Sequence, residues 1–141
     1  MPRTLTILLA LVALLLAAPG AEALNARQRT KLEQAQAVFA SAVRWSDYEA
    51  AWQLVDPKVR TSEPLSDLEL ARYHQLQVTS YREGGNGSLP DGSVTREVEI
   101  GVVNRHTQAE RRIRWREQWR WDAEGKRWWQ TAGLPDFWEG D

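Results

Sequence analysis

Residues 115–130, WREQWRWDAEGKRWWQ, hold five tryptophans in sixteen positions, interleaved with three arginines and a lysine. If rings and cations share one surface, the stretch is built to stack on bases or sugars. If they fall on opposite faces, it is a half-buried strand with its tryptophans in a core. The choice decides the fold.

The preceding segment supplies the test. Residues 94–103 and 110–122 both alternate with period two and read as strands of one antiparallel hairpin. Opposing Val94 to Trp119 leaves residues 104–109 as the connection. One face then pairs Arg96 with Glu117, Val98 with Trp115, and Ile100 with Ile113. The other face pairs Thr95 with Gln118, Glu97 with Arg116, and Glu99 with Arg114. Apolar side chains meet on one side and opposite charges on the other. A slip of one residue would destroy both matches, so the agreement sets the register. Trp115, Trp119 and Trp121 share the apolar face, while Arg112, Arg114, Arg116 and Arg120 point away from it. The tryptophans are core residues.

Net charge agrees. The chain carries 18 basic and 19 acidic residues, a formal charge of −1, which opposes a general nucleic-acid binder. Arginine outnumbers lysine fifteen to three, a bias that suits a GC-rich bacterial genome.

The next turn admits two readings. Ala123-Glu124-Gly125 suits a three-residue loop with glycine in the left-handed position, which opposes Trp119 to Trp129 and turns Trp128 outward over Arg120. A four-residue loop brings Trp128 inward instead. The outward tryptophan would stack on a guanidinium or anchor a partner.

Before the hairpin the pattern is different. Residues 25–43 repeat apolar side chains at three- and four-residue spacing through Leu32, Ala35, Phe39 and Ala42, which predicts a helix. Ser46-Asp47-Tyr48-Glu49 matches a capping box, with Ser46 as the cap of a second helix. Asp56-Pro57 predicts a further turn toward Arg60, and Ser66-Asp67-Leu68-Glu69 caps a short helix ending near Tyr73. From Gln75 the period becomes two: Leu76, Val78 and Ser80 alternate with Gln77, Thr79 and Tyr81. Residues 84–92, GGNGSLPDG, read as a loop, and Asn86-Gly87-Ser88 within it as turn chemistry. A last strand is expected from Arg127 to about Leu134. The predicted class is α+β, with N-terminal helices packed on a curved antiparallel sheet of at least four strands.

Residues 1–23 read as a secretory signal peptide. Arg3 precedes an apolar run over residues 5–18, Pro19-Gly20 breaks it, and Ala21-Glu22-Ala23 offers a cleavage site after Ala23. Fourteen residues at about 1.5 Å each span roughly 21 Å, short of a ~30 Å hydrocarbon core. Export to the periplasm, with no membrane contact after cleavage, is the expected address. Residues 24–141 then form a single domain. The chain has no cysteine, which excludes disulfides, thiolate metal sites and cysteine nucleophiles.

One pair interrupts the apolar face: Arg96 and Glu117. A structural ion pair at the rim is the leading expectation. In the sharper alternative they line a pocket, where Arg96 holds an anionic ligand and Glu117 orients it or acts as a base. Trp115 and Trp119 would flank that pocket, and Tyr48 or Tyr73 would lend a hydroxyl. His74 ends a helix and His106 sits in a hairpin loop, without carboxylates at ligand spacing, so no metal site is expected. No G-x-S-x-G elbow occurs. No cofactor is implied.

WSDYEAAWQLVDPKVR, residues 45–60, resembles the second helix and following turn of the NTF2-like (SnoaL/ketosteroid-isomerase) superfamily. EQWRWDAEGKRWWQTAGLP, residues 117–135, resembles that family's closing hairpin. The resemblance implies a cone, in which helices pack into a bent sheet around a cavity used for catalysis, ligand binding or dimer contacts. No catalytic motif of the family maps onto this chain residue by residue. Two functions follow as expectations. One is an exported non-enzymatic binding or assembly module for an envelope protein or small molecule, with a homodimer through the sheet also possible. The other is a small enzyme using Glu117, supported by Arg96.

Overall fold

A computed structural model describes residues 24–138. The expected leader, residues 1–23, lies outside the described residues. The first helix, α1 (Ala26–Arg44), starts at a reciprocal cap: the Asn25 side chain accepts from the Gln28 amide at 2.8 Å, and the Gln28 side chain accepts from the Asn25 amide at 3.2 Å. Its inward stripe buries Leu32, Gln36, Phe39, Ala40 and Val43. Three short helices follow, α2 (Tyr48–Trp52), α3 (Pro57–Ser62) and α4 (Asp67–Tyr73). Asp56 and Ser66 cap α3 and α4 as expected.

The cap of α2 is Asp47 rather than Ser46. Ser46 has φ 57°, in the left-handed region, because the chain reverses sharply between α1 and α2. A cap needs a negative φ, which Asp47 has at −88°, so the role passes to the next residue. The freed Ser46 hydroxyl accepts from the buried Val78 amide at 3.1 Å and ties this corner to the sheet.

Four antiparallel strands form one sheet in the order β1 (Leu76–Ser88), β2 (Val94–Asn104), β3 (Glu110–Asp122) and β4 (Arg127–Gln130). The chain is thus α+β, helices first and a four-stranded meander second. The β2–β3 register pairs Val94 with Trp119, Arg96 with Glu117, Glu97 with Arg116 and Ile100 with Ile113, as the charge and apolar matching predicts. On the outer face Arg116 meets Glu97 at 2.5 Å and Arg112 meets Glu99 at 3.9 Å.

Two expectations about the sheet are corrected, and the open choice at the β3–β4 turn is decided. Residues 84–88 continue β1, pairing Asn86 with Arg96 and Ser88 with Val94, so the connection shrinks to residues 89–93. The ladder on β2 satisfies backbone groups that glycine-rich composition would leave to solvent. A register shift between Val78 and Ser80 inserts one extra residue, so Tyr81 turns inward and is buried. Finally, the β3–β4 connection has four residues, 123–126: Trp121 opposes Trp128 and Trp119 opposes Gln130. The Asp122 carboxylate accepts the amides of Glu124 and Gly125, both at 3.1 Å, and Lys126, not Gly125, takes the left-handed conformation at φ 50°. Trp128 is therefore buried and donates to the Gln28 carbonyl of α1 at 2.9 Å. Trp129 faces out, with Arg127 stacked 3.4 Å from its ring.

The core lies between α1 and the inner face of the sheet. Phe39 stacks on Trp115 with ring centroids 6.0 Å apart and meets Trp119 edge-on at 5.8 Å. β4 ends at Gln130, earlier than expected. Its side chain accepts the Gly133 amide at 2.7 Å and donates to the Gly133 carbonyl, while its backbone bonds Leu54 and Asp56. Gly133, at φ 82°, turns the tail back over the helices, where Phe137 is fully buried.

Candidate functional site

Arg96 and Glu117 face each other across β2 and β3 on the inner side, under α1. Glu117 has no accessible surface, and the Arg96 side chain is 10% exposed. The guanidinium grips the carboxylate twice, Nε to Oε2 at 3.0 Å and Nη2 to Oε1 at 2.9 Å. The Tyr81 hydroxyl donates to Oε1, and the Trp119 indole donates to Oε2 at 2.9 Å. Each oxygen thus accepts two bonds, which fills the acceptor capacity of a carboxylate. Burial, reinforced by the neighbouring Glu117 charge, raises the Tyr81 phenol well above its ordinary value and keeps it a proton donor. Beside this network Gln36 of α1 donates to Asn86 at 2.8 Å, so the asparagine of the Asn86-Gly87-Ser88 stretch serves helix–sheet docking.

Of the residues expected around a pocket, the structure brings Arg96, Glu117 and Trp119 together, with Trp115 adjacent on Phe39. Tyr48 and Tyr73 go elsewhere. The Tyr48 hydroxyl donates to the Leu76 carbonyl and the Tyr73 hydroxyl to the Pro135 carbonyl, both at 2.8 Å. Burial raises both phenols. Tyr81, the third donor to Glu117, escapes the sequence pattern because the bulge that turns it inward leaves no mark in the alternation. Among the described residues, no three histidine or acidic side chains converge to hold a metal ion.

A second concavity is open. A cleft of about 520 Å³ runs between α2–α4 and the returning tail. Trp52, Leu65, Tyr73, Leu134 and Trp138 supply its apolar walls, with Glu63, Glu69 and Arg72 among the polar side chains. The cleft is held from below: Phe137 packs edge-on against Tyr73 at 5.6 Å and against Tyr48 at 6.2 Å. Trp138 lies edge-on to Tyr73 at 4.9 Å, and Arg72 sits 3.9 Å over its ring. The tail aromatics are tucked back on the domain, as expected from the exposure cost of two large rings. The volume falls in the range of small-ligand and peptide pockets, roughly 300–1,000 Å³.

No protein-family model, no curated protein and no solved structure matches this chain.

Proposed function

We propose that the chain is an exported, periplasmic, non-enzymatic binding module that receives its ligand in the cleft between α2–α4 and the C-terminal segment. The observation that carries this reading is the saturation of Glu117. The one general base that the sequence offers accepts four hydrogen bonds and has no accessible surface. An enzyme using Glu117 with Arg96 would first have to break a buried ion pair, because the Glu117 carboxylate has no accessible surface. The cleft, by contrast, offers aromatic walls and polar rims without a matched acid and base, which suits binding.

Export rests on the leader pattern of residues 1–23. Membership of the NTF2-like superfamily rests on the order of elements, helices before a meander, and on the tryptophan-rich closing hairpin. On that reading Phe39, Trp119 and the Glu117 network occupy the space that the family's cone would leave as a cavity.

Native mass spectrometry of the chain purified gently from a periplasm tests the proposal. A retained ligand or partner that is lost in a Trp52→Ala variant is the expected result. Retention in Trp52→Ala, together with loss in a folded Arg96→Met/Glu117→Leu variant, would move the site to the sheet and revive the enzyme.

A further inference from the structure

Resting on the cleft as the binding site, we propose that it selects an extended peptide segment of a partner protein carrying lysine or arginine between apolar side chains. Charge and aromatic geometry point to the cation. Glu63 and Glu69 both line the cleft, are exposed, and make no ion pair among the described residues. Arg72 is the sole cation among the lining residues, and its guanidinium is already spent on Trp138 at 3.9 Å. That stack demonstrates in place how a guanidinium sits on this wall. Trp52 and Tyr73 offer further ring surface in the same cleft. The Tyr73 phenol is pushed up by burial first and by the charges of Asp136 and Glu69 next, with Arg72 opposing them.

Backbone chemistry points to a peptide over a small amine. Ala132 is exposed on the cleft wall just beyond β4, and neither its amide nor its carbonyl is hydrogen-bonded among the described residues. A residue with a free main-chain donor and acceptor beside apolar pockets can pair with the main chain of an extended segment.

The test is calorimetric titration of the exported chain with four probes. These are a capped pentapeptide alternating leucine with arginine, its counterparts with serine or glutamate in place of arginine, and butylammonium chloride. The arginine peptide should bind at least about tenfold more tightly than the serine peptide, a difference of roughly 1.4 kcal/mol. Its affinity should fall with added salt, as expected for exposed carboxylates. The Glu63→Gln/Glu69→Gln variant, altered only at exposed positions, should keep its thermal midpoint and lose this preference. Equal binding of the serine or glutamate peptide, or an unchanged preference in the double variant, overturns the cationic selection while leaving the cleft as a binding site. Butylammonium competing as well as the arginine peptide overturns the peptide assignment. Failure of every probe, in a protein that also carries no retained ligand, sinks the cleft itself.

Discussion

The indole N–H of Trp119 donates to the carboxylate of Glu117, two residues earlier on the same strand, at 2.9 Å. Residues two apart on a strand share a face, so a fully buried tryptophan and a fully buried carboxylate arrive together. Each answers a need of the other. A buried indole requires an acceptor for its N–H, and a buried carboxylate requires donors for every lone pair. Arg96 and Tyr81 complete the set from the two strands beyond.

Breaking this set from one side should be expensive. Glu117→Ala leaves Arg96 as an uncompensated buried cation and strands two neutral donors, and should destabilise the fold by about 3–5 kcal/mol. The double change Glu117→Leu/Arg96→Met removes both charges and should be milder than Glu117→Ala or Arg96→Ala alone. Urea unfolding measures all three. A single-variant loss under about 1 kcal/mol would mean that the network is not structural.

Alkaline pH should unfold the protein cooperatively. The chain has three tyrosines, and all three phenols are raised above their ordinary value of 10.0, chiefly by burial. A raised folded-state value means the unfolded chain loses these protons first. Stability from this source is intact below pH 10 and falls as pH climbs above it. Tyrosinate absorbance near 295 nm should therefore appear together with the loss of native circular dichroism. Phenolate signal from a still-folded protein would contradict the burial of these hydroxyls.

The tryptophans should divide by face. Trp119→Ala and Trp128→Ala empty fully buried sites and should each cost about 3–5 kcal/mol. Trp129→Ala removes only an outer-face ring stacked on Arg127 and should cost well under half as much. Chemical denaturation of the three variants gives the ranking. Equal losses at Trp128 and Trp129 would be incompatible with the four-residue turn.

Register has a charge signature of its own. Glu97 and Arg116 are opposed and exposed, so their pairing is worth only a few tenths of a kcal/mol. Exchanging the two residues should nevertheless be better tolerated than either reversal alone, because each single reversal sets like charges face to face. A thermal-melt cycle in which the effects simply add would show that the two side chains are uncoupled.

Most of the fold was legible in one dimension because its signals are local or pairwise. The period of α1, the caps at Asp56 and Ser66, and the matching of strands 94–103 and 110–122 need only the chain and its spacing. The bond set of Glu117 was legible in half. Arg96 falls opposite it by register alone, whereas Tyr81 reaches it through a bulge whose position depends on how β1 lies along β2. The cleft was not legible at all, since Trp52, Tyr73 and Trp138 come from three separate segments joined by a tail that turns at Gly133.

The reversal at Ser46 and the turn after Asp122 teach the same lesson from opposite ends of the domain. Both have good local candidates for their roles, Ser46 for a cap and Gly125 for the left-handed position. In both the folded chain chose a neighbour, Asp47 and Lys126. Alternation of side chains, opposition of charge and helical spacing are written in the order of residues, because backbone geometry repeats them wherever the chain is extended or coiled. Loop length, bulges and the meeting of distant rings depend on which arrangement buries Trp128, Tyr81 and Phe137 together. That free energy belongs to the packed whole, and no short stretch of residues contains it.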